Sequence, residues 1–279
     1  MTSPITLITG TSSGIGLEIA LQAAAAGHTT IATMRNLDKA GPLRDAASAA
    51  GVTVDIRQLD VTDAASIEAC VSSVLSDHGR IDALVNNAGA GHVGTIENET
   101  LDDVRQVMEV NFFGVVAVTK AVLPLLRAVG GRVITVSSVG GAVGQPFSEA
   151  YCAAKFAVEG FMESLSPVAA TVGVRVSVVE PGAVASEFVP NIGLSSATMI
   201  AEAGAYGPAL AGYLAASGSS FSKAQSSADA AAAVIAVLVA EEPPARAQTS
   251  DSARAFVGTK YVDLDGSAVQ TLTRGWVAS

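Results

Sequence analysis

Short runs of β-branched apolar residues alternate through this chain with longer runs whose apolar positions recur at helical spacing. Ile5 to Thr9 is followed by Gly14 to Ala26, Thr29 to Thr33 by Leu37 to Ala50, and Val52 to Leu59 by Ala64 to Asp77. Ile81 to Val85 then leads into a long helix from about Leu101 to Arg127, Arg132 to Val136 into a helix that contains Tyr151, and Val174 to Val179 closes the series. Runs of the first kind read as strands and runs of the second as helices. Their strict alternation predicts a doubly wound α/β fold, a parallel sheet between two helical layers. No linker, low-complexity tract or short-period repeat interrupts it, so residues 1–279 are expected to form a single domain. The stretch from Asp103 to Leu126 is apolar on nearly all sides, so one face should pack on the sheet and another on a subunit partner. A homodimer or homotetramer through the 101–127 and 151–171 helices is the expectation.

Composition narrows this picture. Of 279 residues 49% are hydrophobic and only 15% charged, enough apolar material for one large core and a sheet buried on both faces. The net charge of −10 argues against nucleic acid or an anionic membrane as partner, since both select basic surfaces. Cys70 and Cys152, the two cysteines, fall in expected helices, which fits structural thiols in a reducing cytoplasm rather than a disulfide framework. The longest uninterrupted apolar run, Ala230 to Ala240, is too short for a membrane span, and no charged-then-apolar leader precedes the first strand. A soluble, unprocessed protein without a metal is expected.

Chemistry-bearing residues gather where strands end. Thr9-Gly10-Thr11-Ser12-Ser13-Gly14-Ile15-Gly16 follows the first strand and opens the first helix, the setting in which backbone N–H groups and a helix N-terminus hold a pyrophosphate. The competing reading is a plain glycine turn, and position after a strand favours the cofactor. The second strand ends at Thr33-Met34-Arg35. An acid there would receive ribose hydroxyls, whereas a basic residue suits a 2′-phosphate, so Arg35 favours NADP(H), with NAD(H) as the alternative. Ser12 or Ser13 is a candidate second phosphate ligand. Asp60-Val61 and Asn86-Asn87-Ala88-Gly89 close the next two strands and fit an adenosine and a ribose lying across the sheet edge. Asp60 is equally readable as a helix cap and Asn87 as a turn residue. Asn111 stands out as an amide inside an apolar helix, unfavourable there unless its groups are partnered.

Gly131 to Lys155 carries the sharpest signal. Val133, Ile134 and Val136 lead to Ser137 and Ser138, and Tyr151 and Lys155 are four residues apart on a helix, one turn from each other on one face. A phenol exchanges protons poorly at neutral pH, and a nearby ammonium favours its ionised form. Bringing it to neutrality takes about 4 kcal/mol, which Lys155 and a cationic cofactor ring could supply together. Tyr151 would then serve as general acid or base, with Ser138 hydrogen-bonding the same substrate oxygen.

With these residues assembled, the chain resembles the short-chain dehydrogenase/reductase family over roughly residues 4 to 190. Thr9-Gly10-x-x-x-Gly14-x-Gly16, Asn86-Asn87-Ala88-Gly89, Asn111, Ser138, Tyr151-x-x-x-Lys155 and Pro181-Gly182 occur in family order. The surroundings of Tyr151, together with Glu180-Pro181-Gly182, resemble 17β-hydroxysteroid dehydrogenase and retinol dehydrogenase-like members. The resemblance implies a Rossmann-type sheet in three layers and an NADP(H)-dependent oxidoreductase. It implies Ser138 as the serine that orients the substrate oxygen, Tyr151 as proton donor or acceptor, and Lys155 as the residue that lowers the phenol and holds the nicotinamide ribose. It further implies that the Asn111 main-chain carbonyl positions a water beside Lys155, and that Pro181, Gly182, Val184 and Ser186 line the nicotinamide end, Ser186 standing where members often carry threonine. Two rivals follow from the same residues: a 3-oxoacyl-thioester reductase of fatty-acid or polyketide type, and a non-catalytic nucleotide sensor.

The segment from Phe188 to Gln225 is too long for an idle connection and is expected to form a substrate lid. Phe188, Val189, Ile192, Leu194, Met199, Ile200, Tyr206, Leu210, Tyr213, Leu214 and Phe221 make it apolar, which suggests a bulky hydrophobic ketone or secondary alcohol. The other reading is packing on the body or a partner. His92 is placed near the pocket mouth or in solvent, and His28 and His78 as structural. Ala228 to Glu242 reads as a helix ended by Pro243-Pro244, and Arg246 to Thr249 as an added edge strand. The tail from Pro243 carries no legible chemistry.

Overall fold

The computed structural model describes residues 3–185, 196–221 and 224–277. Its elements are β1 (Ile5–Thr9), α1 (Gly14–Ala25), β2 (Thr29–Met34), α2 (Gly41–Ala50), β3 (Asp55–Gln58), α3 (Ala64–His78), β4 (Ala83–Asn86), α4 (Leu101–Met108), α5 (Gly114–Val129), β5 (Arg132–Val136) and α6 (Glu149–Ala170). β6 (Arg175–Glu180), β7 (Val184–Ala185), α7 (Ser196–Glu202), α8 (Gly207–Phe221), β8 (Gln225–Ser226), α9 (Ser227–Val239), β9 (Arg246–Gln248), α10 (Asp251–Tyr261) and α11 (Ser267–Val277) complete them.

Seven strands form one parallel sheet in the order β3-β2-β1-β4-β5-β6-β9. The chain builds outward from β1 to β3, returns to the centre and builds the other way from β4, so the order reverses between β1 and β4. A crevice at the carboxyl end of that pair is where such sheets take ligands. The strands are apolar at consecutive positions because helices cover both faces. Leu7, Ile31, Leu84 and Val133 point into one core with Val74, Val118, Val122, Leu126 and Met162, from α3, α5 and α6. Their neighbours Ile8, Ala32, Val85 and Ile134 point into the other with Ile19, Leu43 and Val234, from α1, α2 and α9.

Several boundaries differ from the sequence expectation. The third strand is shorter than Val52 to Leu59, and Leu37–Ala40 forms a separate 3₁₀ turn ahead of α2. The helix expected over 101–127 is not one regular helix: Glu109–Phe113 is a π-helical turn between α4 and α5. Thr100 and Asp103 cap the start of α4 reciprocally, a capping box. The composite stretch Leu101–Val129 has the length and hydropathy of a membrane span, yet Val115, Val118, Val122 and Leu126 are spent on the sheet. α9 stops at Val239, where Ala240 turns extended before the two prolines. The expected edge strand is β9, parallel to β6, and the tail adds α10 and α11.

Leu126 is fully buried between α5 and the sheet. Leu126→Ala should therefore cost about 3 kcal/mol of unfolding free energy in urea titration, with no change of far-UV circular dichroism.

Candidate active site

The turn after β1 is built for close approach. Gly10 has φ +72° and Gly14 φ +58°, both left-handed, and a Cβ on Gly10 would lie 2.7 Å from the Ala88 Cα. Asn87 locks the turn to the end of β4: its Nδ2 donates to Thr9 O (3.0 Å) and Gly10 O (2.9 Å), while the Asn87 and Ala88 N–H groups donate to Thr9 Oγ1. Thr11 is tied to β2 through Thr33 O. Ser13 precedes α1 without its side chain capping the helix, and no acid occupies the first turn. The N–H groups of that turn keep their positive potential, which suits a phosphate. Together, the glycine cradle and the unneutralised helix start fit a dinucleotide.

Beside this turn a cavity of about 320 Å³ is lined by Ser12, Met34, Arg35, Asn36 and Lys39. Arg35 and Ser12 were expected there. Lys39 was not, because in sequence it belongs to the helical run after β2. The Asn36 side chain accepts from Asp38 N–H (2.9 Å) and curls the 3₁₀ turn, which brings Lys39 back beside Arg35. A basic residue four positions after Arg35 was the available signal. Asp60 uses its own carboxylate on Thr62, accepting from the N–H (3.0 Å) and the hydroxyl (2.7 Å), while Asp63 caps α3. The helix-cap reading thus belongs to Asp63. Val61 packs on the start of α5, where a Cβ on Gly114 would meet it at 2.7 Å.

The proposed reacting residues converge at the ends of β4 and β5. Ser138 follows β5 in extended backbone and its Oγ accepts from Gly140 N–H (3.0 Å). It also hydrogen-bonds the Tyr151 hydroxyl. Lys155, buried one turn further along α6, donates to Val136 O (3.2 Å) and sits 5.9 Å from the Tyr151 ring centroid. Gly89 completes the group: a Cβ on it would stand 2.9 Å from Asn111 Oδ1 and 3.6 Å from Lys155 Nζ. Asn111 lies in the π turn and is fully buried. It accepts from Ala90 N–H (3.1 Å) and donates to Ala90 O and Val107 O (3.0 Å each). The misplaced amide is thus a clasp holding the β4 loop, and the π turn is what offers it sideways.

One electrostatic expectation is reversed. Burial pushes the half-buried Tyr151 phenol up, and the Ser138 hydrogen bond only partly opposes this. Burial likewise pulls the Lys155 ammonium down to about 8, with Glu159 pushing it back up. Both charged forms lose hydration in the same dry place, and one Lys155 N–H is engaged by Val136 O.

The sequence profile described as short chain dehydrogenase matches residues 4–197. The chain belongs to the short-chain dehydrogenase/reductase family. It is an oxidoreductase of that family. Retinol dehydrogenase 8 of Bos taurus is 39% identical over 272 residues, 94% of this chain and 86% of the relative. Estradiol 17-beta-dehydrogenase 1 of Rattus norvegicus is 44% identical over 195 residues, 67% of this chain and 56% of the relative. An actinorhodin polyketide ketoreductase solved with NADPH superposes with a TM-score of 0.72 at 28% identity, over 88% of this chain and 95% of that one.

For this dehydrogenase/reductase, the segment after β6 is partly in view. Pro181 O accepts from Val139 N–H (2.9 Å), and Gly182 packs on α10, where a Cβ would touch Ala253 at 3.3 Å. Val184 is buried in the β7–β8 pair. Ser186, Phe188, Val189, Ile192 and Leu194 lie outside the described residues, as does the Phe221 side chain. Leu210 and Tyr213 pack with Phe147, Met199, Ile200 and, from the tail, Trp276. Tyr213 also hydrogen-bonds Ser148 (3.1 Å) at the start of α6. Leu210 and Tyr213 thus pack on the body of the domain, and α11 from the tail joins that packing. His92 pairs with Glu99 in the loop after β4. His28 bonds Thr6, and His78 lies between Asp55 and Arg57.

Asn111→Leu removes three hydrogen bonds and leaves Ala90 groups unpaired, so it should lower stability by about 3 kcal/mol and raise amide exchange at Ala90 more than in β1.

Proposed function

We propose that this enzyme uses NADP(H) to interconvert a bulky hydrophobic ketone and its secondary alcohol, a substrate of steroid or retinoid type. The observation that carries the reading is the convergence of Ser138, Tyr151 and Lys155 at the carboxyl end of β5, beside the glycine cradle. Gly10 to Gly16 would hold the pyrophosphate, Asn87 to Gly89 the central ribose edge, and Pro181 to Ser186 the nicotinamide end. Bound there, the nicotinamide supplies hydride to, or takes it from, the substrate carbon. The chain's own residues handle the oxygen. Ser138 donates a hydrogen bond that orients the carbonyl, and Tyr151, kept as the neutral phenol by burial, gives its proton to that oxygen. Lys155 then faces the phenolate left behind. Their opposite charges attract in this partly dry site, which stabilises the phenolate. A phenol held protonated at neutral pH favours the carbonyl-reducing direction.

Arg35 and Lys39 on one cavity support the phosphorylated nucleotide, since two cations and no acid face the place a 2′-phosphate would take. The apolar substrate is supported by relatives named for retinol and estradiol. The likeness to a polyketide ketoreductase favours a second reading, reduction of a 3-oxoacyl thioester. A self-associating face is supported by Phe113, Phe156 and Val168, large apolar side chains exposed along α5 and α6.

Following NADPH absorbance with a ketosteroid, a retinoid aldehyde and a 3-oxoacyl thioester decides between the substrate readings, and turnover of none sinks both. Tyr151→Phe should lower kcat by about 10³-fold at retained nucleotide binding. Arg35→Ala and Lys39→Ala should each weaken NADPH binding by about tenfold, with NADH unmoved, as loss of one charge-assisted bond requires. Turnover should fall as the pH rises through about 8, where Lys155 loses its charge.

A further inference from the structure

Behind Ser138 and Lys155 lies a buried ionisable cluster that the reaction does not touch. Glu159 stands one helical turn beyond Lys155 on α6, and Glu180 ends β6; their side chains are 6% and 0% exposed. Carboxylates are almost never this buried unless each charge is matched. Here two buried acids share one cation, which is itself only partly buried. Arg246 of β9 brings Nη2 to Glu159 Oε2 (3.1 Å) and Nε to Glu180 Oε1 (3.1 Å), and also reaches the exposed Glu163 (3.2 Å). Its guanidinium lies 4.9 Å from the Tyr261 ring centroid.

The oxygens can be accounted for one by one. Glu159 Oε2 accepts from Arg246, and Glu180 Oε2 accepts from Gln248 Nε2 (2.6 Å). Glu159 Oε1, Glu180 Oε1 and Ser137 Oγ are buried without a hydrogen bond of regular geometry. The two carboxyls nevertheless lie within reach of each other, and Ser137 within reach of Glu159. Two facing acceptors are reconciled by one proton. Both carboxyls are pushed upward by burial, the direction that favours such a proton. The titratable groups facing the pair are Lys155 and Glu163 from α6, Arg246 from β9 and Tyr261 from α10. Glu159 also sits directly under the loop after Ser138: a Cβ on Gly141 would meet Glu159 Cγ at 2.8 Å and Ser137 Oγ at 2.6 Å.

We propose that Glu180 stays protonated at neutral pH and donates to the Glu159 carboxylate, so that Glu159 keeps a single negative charge one turn from Lys155 and acts as a positioning residue for it. The shared proton stands by itself; the role toward Lys155 rests on the function proposed above.

Infrared spectra of the full-length protein at pH 7 test the proton directly. A carbonyl band of a protonated carboxylic acid is expected, and it should vanish in Glu180→Gln. Its absence from the wild-type protein, or its persistence in Glu180→Gln, overturns the proposal without requiring any other variant to fold. Stability gives a second reading. A carboxyl raised in the folded state adds stability that is complete below its unfolded value and lost as the pH rises through its folded value. The melting temperature of the wild-type protein should thus fall further between about pH 5 and about pH 8 than that of Glu180→Gln. For the link to Lys155, Glu159→Gln should move the alkaline limb of kcat/KM down by about one pH unit, the effect of removing a neighbouring opposite charge. Glu180→Gln, whose amide N–H replaces the acid O–H, should leave the limb in place. A limb unmoved in Glu159→Gln refutes the positioning role. Full turnover by Tyr151→Phe would instead sink the function proposed above, with the infrared band still deciding the proton.

Discussion

A parallel sheet buried on both faces leaves polar chemistry almost nowhere to go except the edge where its strands end. The rest of this molecule follows from that constraint. Leu7 and Ile8, or Leu84 and Val85, face opposite cores, so neither side of the sheet can host a charge without a partner. The carboxyl edge, by contrast, collects Gly10, Asn87, Gly89, Ser138 and Lys155 from loops far apart in sequence. Asn87 is the tie that makes one surface of them, since its amide joins the β1 turn to the end of β4 across the point where strand order reverses.

The basic side chains that enter the interior are met by backbone carbonyls or by carboxyls. Lys155 donates a hydrogen bond to a strand carbonyl and lies near Glu159; Arg132 ends in the last carbonyls of α9; Arg246 reaches the buried carboxyls from the sheet edge. Desolvation governs the outcome. It raises the Tyr151 phenol and lowers the Lys155 ammonium, so the site's protonation is set by the dryness of its surroundings before the attraction between the two residues enters. Such a site keeps Tyr151 neutral and leaves the Lys155 charge sensitive to any charge placed nearby.

The alternation of strand and helix, the parallel sheet, the glycine turn and the Ser138–Tyr151–Lys155 set were legible in the sequence. They depend on periodicity, on the spacing of Tyr151 and Lys155 within one helix, and on a family resemblance carried by motif order, signals that survive without knowledge of neighbours. Asn111 was legible as an anomaly but not as a clasp, because its partners Ala90 and Val107 meet it only through a π turn that spacing does not announce. Lys39 was hidden by reading Leu37 to Ala50 as one helix, when a side-chain bond from Asn36 folds its first turn back toward Arg35.

The amino-acid order by itself thus determined which residues form elements, which faces turn inward and which residue types can move a proton, because these are properties of local backbone geometry and hydrophobic pattern. Tertiary structure alone decided the rest: that Trp276 of α11 packs with Leu210 and Tyr213, that Glu159 and Glu180 meet around Arg246, and that burial shifts the Tyr151 phenol upward. Those outcomes depend on burial and on contacts between different elements of the fold, quantities that come into being only when the chain closes on itself.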